Sequence, residues 1–267
     1  MMPLRAILIL VAMLAGQAAQ ATELDLTGLE DCGTVTAQGA IGGARFTTNG
    51  GQVVKLALVK APELWKKGDP YRSWPHAEAA RDALTALTDG QEISLYCEGG
   101  KTNREGELVA HALLADGRWL QHVLVEGGNV FVFPRPTRRR GLETLYRTED
   151  AARAEGKGLW AYDNMKTVDA LSSGVRTGWF QIVEGSVVAA NQVGTTLYLN
   201  FGEDWRTDFT VEIPSTALRH FGKAKIDPLT FEGRRVEVRG WIDFKGGPRL
   251  LLQGPGQLRL MKDKPAQ

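Results

Sequence analysis

Hydrophobic and polar positions alternate with a short period in the first third of the chain. Residues 33–38, 44–48 and 52–60 read as strands. Asn49-Gly50, between the second and third, predicts a hairpin turn. The third run, Val53-Val54-Lys55-Leu56-Ala57-Leu58-Val59, is β-branched and apolar, so at least half buried. Pro62, Pro70 and Pro75 break the loop that follows, and the period then changes. Over 76–89, Ala77, Ala80, Leu84 and Leu87 share one helical face, and Gly90 closes the helix. Strands are predicted at 92–98 and 107–114, and helices at 119–126 and 142–155. Three strands, a helix and two strands match a five-stranded OB barrel with its helix between strands three and four.

The pattern then repeats. Thr167-Val168-Asp169-Ala170-Leu171-Ser172-Ser173-Gly174 is small and polar, a predicted linker. Strands follow at 180–189, 196–201 and 208–213, a helix at 215–221, and strands at 235–242 and 249–253. A last extended piece covers 257–261, and Lys245-Gly246-Gly247-Pro248 is a turn. This order predicts a second OB-like barrel; an unrelated small β-barrel or sandwich is the alternative. The expected organisation is a leader at 1–21, a first domain at 22–166, a linker at 167–174, a second domain at 175–262 and a tail at 263–267.

The leader reading rests on Arg5, an apolar run from Ala6 to Ala15, and small residues ending in Ala19-Gln20-Ala21. That is the pattern of a secretory signal peptide, too short for a spanning helix. Cleavage is expected after Ala21, giving a secreted or periplasmic protein; an uncleaved anchor is the alternative. Export gives the two cysteines, Cys32 and Cys97, the reading of a disulfide. In an OB barrel the start of strand one meets the end of strand four, which brings them together. Two separately buried thiols are the alternative.

Composition adds exclusions. With 267 residues, 32 basic and 31 acidic side chains and 43% apolar residues, the chain is neither collagen, coiled coil nor mostly disordered. It lacks the Lys/Arg excess of a strongly basic nucleic-acid binder. Residues 22–172 hold 18 basic and 21 acidic side chains, and residues 173–267 hold 13 and 10. The second half is the basic one.

Three segments of the first domain carry a family resemblance: VVKLALVKAPE at 53–63, GELVAHALLADGRWL at 106–120 and EDAARAEGKGLW at 149–160. With the spacing between them, residues 33–162 resemble the staphylococcal-nuclease-like, or thermonuclease, family. Leu199-Asn200-Phe201-Gly202-Glu203-Asp204-Trp205-Arg206 is similar to an OB-like module that follows some bacterial members. The resemblance implies a mainly β protein with helices: a staphylococcal-nuclease-like OB barrel followed by a second OB-like barrel. It also implies calcium-dependent phosphodiester hydrolysis of DNA and RNA. In that mechanism two carboxylates and a carbonyl hold the ion, a glutamate is general base, and two arginines clamp the phosphate.

Mapped residue by residue, those roles are largely lost. Glu63 keeps the general-base position. Lys60 stands at one metal-ligand aspartate and Ala61 at the neighbouring threonine, while Ala44, in Gly42-Gly43-Ala44-Arg45, stands at the other aspartate. Lys55 and Glu107 stand at the two phosphate-clamp arginines. Lys55 keeps charge without the guanidinium fork, and Glu107 is expected to repel phosphate. Losing one transition-state donor costs roughly a hundred- to a thousand-fold. No metal or other cofactor is therefore expected, with calcium required only if the domain is an active nuclease.

Other surfaces remain for nucleic acid. Phe131 and Phe133 match pocket tyrosines, and Arg135, Arg138, Arg139 and Arg140 form the densest basic run. In the second domain Tyr198 and Trp205 are the aromatics expected to be exposed, beside Arg206. His76, His111, His122 and His220 lack partners at motif spacing, so structural or exposed roles are expected. The expected function is an exported, non-catalytic binder of single-stranded DNA or RNA. The alternatives are an active phosphodiesterase with a rearranged site and a periplasmic protein-interaction scaffold.

Overall fold

A computed structural model describes residues 24–68, 72–204 and 206–262. The predicted leader, its cleavage point and the tail lie outside the described residues. The first half contains β1 (Glu30–Gly42), β2 (Arg45–Thr48), β3 (Val53–Leu56), β4 (Val59–Lys60), α1 (Ala77–Thr88), β5 (Glu92–Cys97), β6 (Leu108–Leu113), α2 (Leu120–Glu126), β7 (Phe131–Val132) and α3 (Leu142–Ala154). Strands β1-β2-β3-β6-β5 close into a barrel. The long β1 pairs with β5 through Glu30–Thr36 and with β2 through Ala37–Gly42, so one strand closes the ring. Phe46, Val54, Leu56, Ile93 and Leu95 fill its interior, and Leu84 of α1 seals it.

The register pairs Glu30 with Cys97, which places Cys32 beside it. The two cysteines form a disulfide with their Cα atoms 6.0 Å apart, closing a separation of 65 residues. In the chain-entropy model such a loop contributes about 4 kcal/mol.

The strand predicted over 52–60 is in fact two strands. Leu58 adopts a left-handed backbone, φ 64°, and ends the barrel strand. That conformation costs a non-glycine residue about 1 kcal/mol. It is held because the Leu58 side chain is buried and its carbonyl accepts from Phe133 N at 2.6 Å. The kink redirects β4 onto β7, with Lys60 opposite Phe131.

The second half contains β8 (Val168–Asp169), β9 (Phe180–Ser186), β10 (Ala189–Val193), β11 (Thr196–Asn200), β12 (Thr210–Ile213), α4 (Ser215–Lys223), β13 (Arg235–Phe244), β14 (Pro248–Leu251) and β15 (Leu258–Leu260). They form one sheet in the order β10-β11-β12-β14-β13-β9-β8, with β15 also on β13. Only Val187 and Val188 separate β9 from β10. Val187 N donates to Arg234 O and Val188 N to Asn200 O, so the bend carries pairing from one neighbour to the other. One bent run of chain thus does what β1 does in the first half, giving the strand order of an OB barrel. The stretch read as a linker is not a free tether. Val168 and Asp169 pair parallel with β9, and Ala170 is buried in the second core.

The two halves meet through a buried charge network. On β13, Val236, Val238 and Ile242 point into their own barrel, while Glu237, Arg239 and Trp241 point out of it. Glu237 and Arg239 are nonetheless buried, because α3 lies over them. Arg239 donates to Val132 O at 2.6 Å, lies 2.9 Å from Glu149 and also pairs with Glu237. Arg153 spans Glu149 at 2.8 Å and Glu237 at 2.5 Å. Arg259 makes two bonds to Asp150, at 2.9 and 2.5 Å. The Arg239 and Arg259 guanidinium groups lie over the Tyr146 ring at 4.5 and 4.3 Å. Phe131, Trp160, Met165, Phe180 and Ile182 form an apolar core beside the network.

Burial works to raise the Glu237 pKa, but Arg239, Arg153 and Arg259 outweigh it and bring it down to about 2. Its unfolded value is 4.5. The unfolded chain therefore binds the extra proton between these values. The Glu237 contribution is full above pH 4.5 and is lost as pH falls through about 2. The difference corresponds to on the order of 3 kcal/mol. Urea titrations between pH 5 and 2 should show stability falling with a slope that Glu237→Gln flattens. An unchanged slope contradicts the assignment.

Candidate functional site

The kink at Leu58 carries Lys60 to the seam between the two barrels. Its ammonium lies 2.6 Å from Glu63 Oε1. Three rings surround it: Trp74 at 5.2 Å, Phe180 at 5.4 Å and Trp241 at 4.9 Å. Trp74 comes from the loop before α1, and Phe180 and Trp241 come from β9 and β13. The second barrel therefore supplies two of the three walls. Trp74 N donates to Glu63 O at 2.8 Å, pinning the loop across its excursion. Burial lowers the Lys60 pKa, and the hydrogen bond that Lys60 donates to Glu63 opposes that shift. The π faces add attraction for the cation as water is removed.

The other implied metal positions hold no oxygen side chain. Ala44 lies in the turn between β1 and β2, and its carbonyl is taken by Leu56 N at 3.0 Å. Space here is filled. A Cβ placed on the neighbouring Gly43 would lie 2.7 Å from Ala80 Cβ and 2.9 Å from Ala61 Cβ. Among the described residues no three His, Cys, Asp or Glu side chains cluster for a metal ion. A donor set of one salt-bridged carboxylate and an ammonium does not fit calcium, which takes six to eight oxygens.

Glu107 corrects an expectation. It does not present a bare negative charge, because Arg45 Nη1 lies 3.0 Å from its Oε1 and Asn103 Nδ2 donates to Oε2 at 2.8 Å. Burial pushes its pKa up, but Asn103 and Arg45 more than offset this and hold it below the ordinary range. Arg45 reaches it because β2 pairs with β3 in a register that sets Arg45 opposite Lys55. Burial lowers the Lys55 pKa; Glu107 opposes this, while Arg135 and Arg45 add to it. Arg45, Lys55, Lys60 and Arg135 thus face Glu63, Glu105 and Glu107. These four cations outnumber the three carboxylates, where the sequence alone suggested repulsion.

Several proposed nucleic-acid contacts move elsewhere. Phe131 is 2% exposed, against Trp160 at 5.4 Å and Phe180 at 5.3 Å, so no face is left for a base. Phe133 is half-buried on Phe180. Arg135 is exposed and bonds Gln253 of the second barrel at 2.9 Å. Arg138 donates to Gly100 O, and Arg140 pairs with Asp25 at 2.9 Å. Glu98 accepts the backbone N–H groups of Arg139 and Arg140 at 2.8 and 3.0 Å, so this run is fastened to the end of β5. The Arg139 side chain is exposed. Tyr198 is half-buried rather than exposed. Trp205 lies outside the described residues, and Arg206 is exposed in the adjoining turn.

Sequence reading missed Arg239, Glu149 and the part played by Trp241. A signal was present: Arg235, Glu237, Arg239, Trp241 and Asp243 alternate with Val236, Val238, Gly240 and Ile242. That outward row looks solvent-facing unless another domain covers it.

A closed barrel in the order β1-β2-β3-β6-β5, with a helix after its third long strand, has the architecture of a nuclease-like OB fold. Residues 53–162 match the family described as staphylococcal nuclease homologue, and this half of the chain is a domain of that kind. A relative, the Succinoglycan biosynthesis protein ExoI of Rhizobium meliloti (strain 1021), is 30% identical over 115 residues. The match covers 41% of this chain and 56% of that protein, so the chain spans about half the length of the relative.

The aromatic box predicts how Lys60 substitutions behave. Lys60→Met keeps the length and removes a buried charge, so stability should stay within about 1 kcal/mol. Lys60→Asp restores a metal-ligand residue type but sets a carboxylate against three π faces, at a cost of about 2 kcal/mol or more. Urea unfolding of both variants checks this; equal losses would contradict the geometry.

Proposed function

We propose that this is an exported protein whose nuclease-like barrel no longer hydrolyses phosphodiesters and instead binds single-stranded nucleic acid. One observation carries the reading. Lys60 holds the retained glutamate in an ion pair at 2.6 Å, in the place the family resemblance gives to a metal carboxylate. A glutamate so engaged is a poor base for water. The surplus of cations around Lys55 supports binding of phosphate without its cleavage. The leader pattern at 1–21 and the Cys32–Cys97 disulfide support export. Among the described residues no helix is long and apolar enough to cross a membrane.

A second reading has its own support. The relative's name ties that protein to succinoglycan biosynthesis, so a role beside glycan assembly is the competing proposal.

The assay uses mature protein with labelled single-stranded DNA and RNA in calcium, in magnesium and in chelator. No product should form. Binding should weaken with salt, with a log–log slope of about −0.7 per phosphate contacted. Metal-dependent cleavage that disappears in Glu63→Ala overturns the reading in favour of an active phosphodiesterase. Neither cleavage nor binding favours a scaffold or the glycan role.

A further inference from the structure

Trp241 is unusual among the aromatics at the seam because it is anchored and exposed at once. The Lys60 ammonium lies over its ring at 4.9 Å, and Trp74 and Phe180 approach at 5.8 and 6.2 Å with steeply inclined planes. It is nevertheless 44% exposed. The ammonium and the two neighbouring rings therefore leave close to half of its surface open to solvent. The register that pairs Ile242 with Leu250 brings Leu251 alongside Trp241, and Leu251 is 48% exposed. Together they make a small apolar shelf on the outer face of the second barrel, at the lip of the old nuclease site.

We propose that Trp241 is the stacking platform for a base of single-stranded nucleic acid, with Leu251 extending the shelf and Arg135 meeting the neighbouring phosphate. This rests on the reading of the protein as a nucleic-acid binder and gives that reading a location. The positions expected from the sequence are closed: Phe131 is buried in the seam and Phe133 has Phe180 against it at 5.1 Å. Trp241 offers what they lack, a flat π face already immobilised, so stacking costs little rotamer freedom. Arg135 stands along the same seam, 5.8 Å from the Phe133 ring and bonded to Gln253, with an exposed guanidinium. The cations of the old site lie behind the platform and favour a polyanion over a neutral chain. The ammonium under the ring also draws on the π density that sugar C–H groups would seek, which favours a base over a sugar.

The test measures binding of fluorescein-labelled dT12 and of an abasic oligonucleotide of equal length. Trp241→Ala should weaken dT12 binding about tenfold or more, leave the salt slope unchanged and leave the abasic strand unaffected. Trp241→Phe should retain most of the affinity. In wild-type protein, photocrosslinking of a bromouracil-substituted strand should map to the peptide containing Trp241, a readout that does not depend on how the variants fold. Wild-type binding with crosslinks confined to other peptides, or with dT12 affinity unchanged in Trp241→Ala, overturns this inference alone. Displacement by a neutral oligosaccharide of equal length assigns the shelf to a glycan and overturns it too. No binding of either strand by wild-type protein overturns the nucleic-acid reading together with the platform.

Discussion

The arginine at position 239 is fully buried between two carboxylates, Glu149 from the first half and Glu237 from its own strand. A guanidinium taken out of water costs several kcal/mol unless its donors are met. Here α3 supplies Glu149, β13 supplies Glu237, and the Val132 carbonyl takes a further N–H. Two of these partners, Glu149 and the Val132 carbonyl, are lost if the barrels separate, so the charge binds the halves to one orientation. Such a network is weak evidence for net stability and stronger evidence for a unique arrangement. Arg153 and Arg259 widen it, and the apolar cluster around Phe131 and Phe180 excludes water beside it.

That fixed orientation decides what surrounds Lys60. Because β13 docks its outward row on α3, the next outward residue after Arg239 is Trp241, which arrives at Lys60. The kink at Leu58 brings Lys60 from the other side. In an isolated first barrel this lysine would face water; the second barrel removes that water and gives it two of its three aromatic walls. The substitution and the second barrel are thus physically coupled. With lysine and alanine at the positions the family resemblance gives to metal ligands, Lys60 lies in a ring-lined seam.

The local pattern made much of the fold legible. Alternation gave the strands of both barrels within a few residues, helical spacing placed α1 and α3, and the topology of an OB barrel brought Cys32 to Cys97. What it missed had physical causes. The left-handed Leu58 leaves no mark in an apolar run, so β3 and β4 read as one strand. The interruption at Val187-Val188 hid β10, because pairing changes partner there without any turn residue. Phe131 looked like a pocket aromatic because its burial comes from Phe180 and Trp160, one of them in the other half. Glu107 looked repulsive because Arg45, a neighbour only through the β2–β3 register, cannot be seen in linear order. In each case the missing information was a long-range contact, most often one across the seam.

An ammonium boxed by rings from both barrels stands where the family resemblance places a metal ligand. Proton NMR of selectively labelled lysine tests it directly. The ε-methylene signal of Lys60 should lie well upfield of those of exposed lysines, because three rings stand within 5.4 Å of the ammonium, and it should not move when calcium is added. A Lys60 signal at the position of exposed lysines, or one displaced by calcium, would contradict the account.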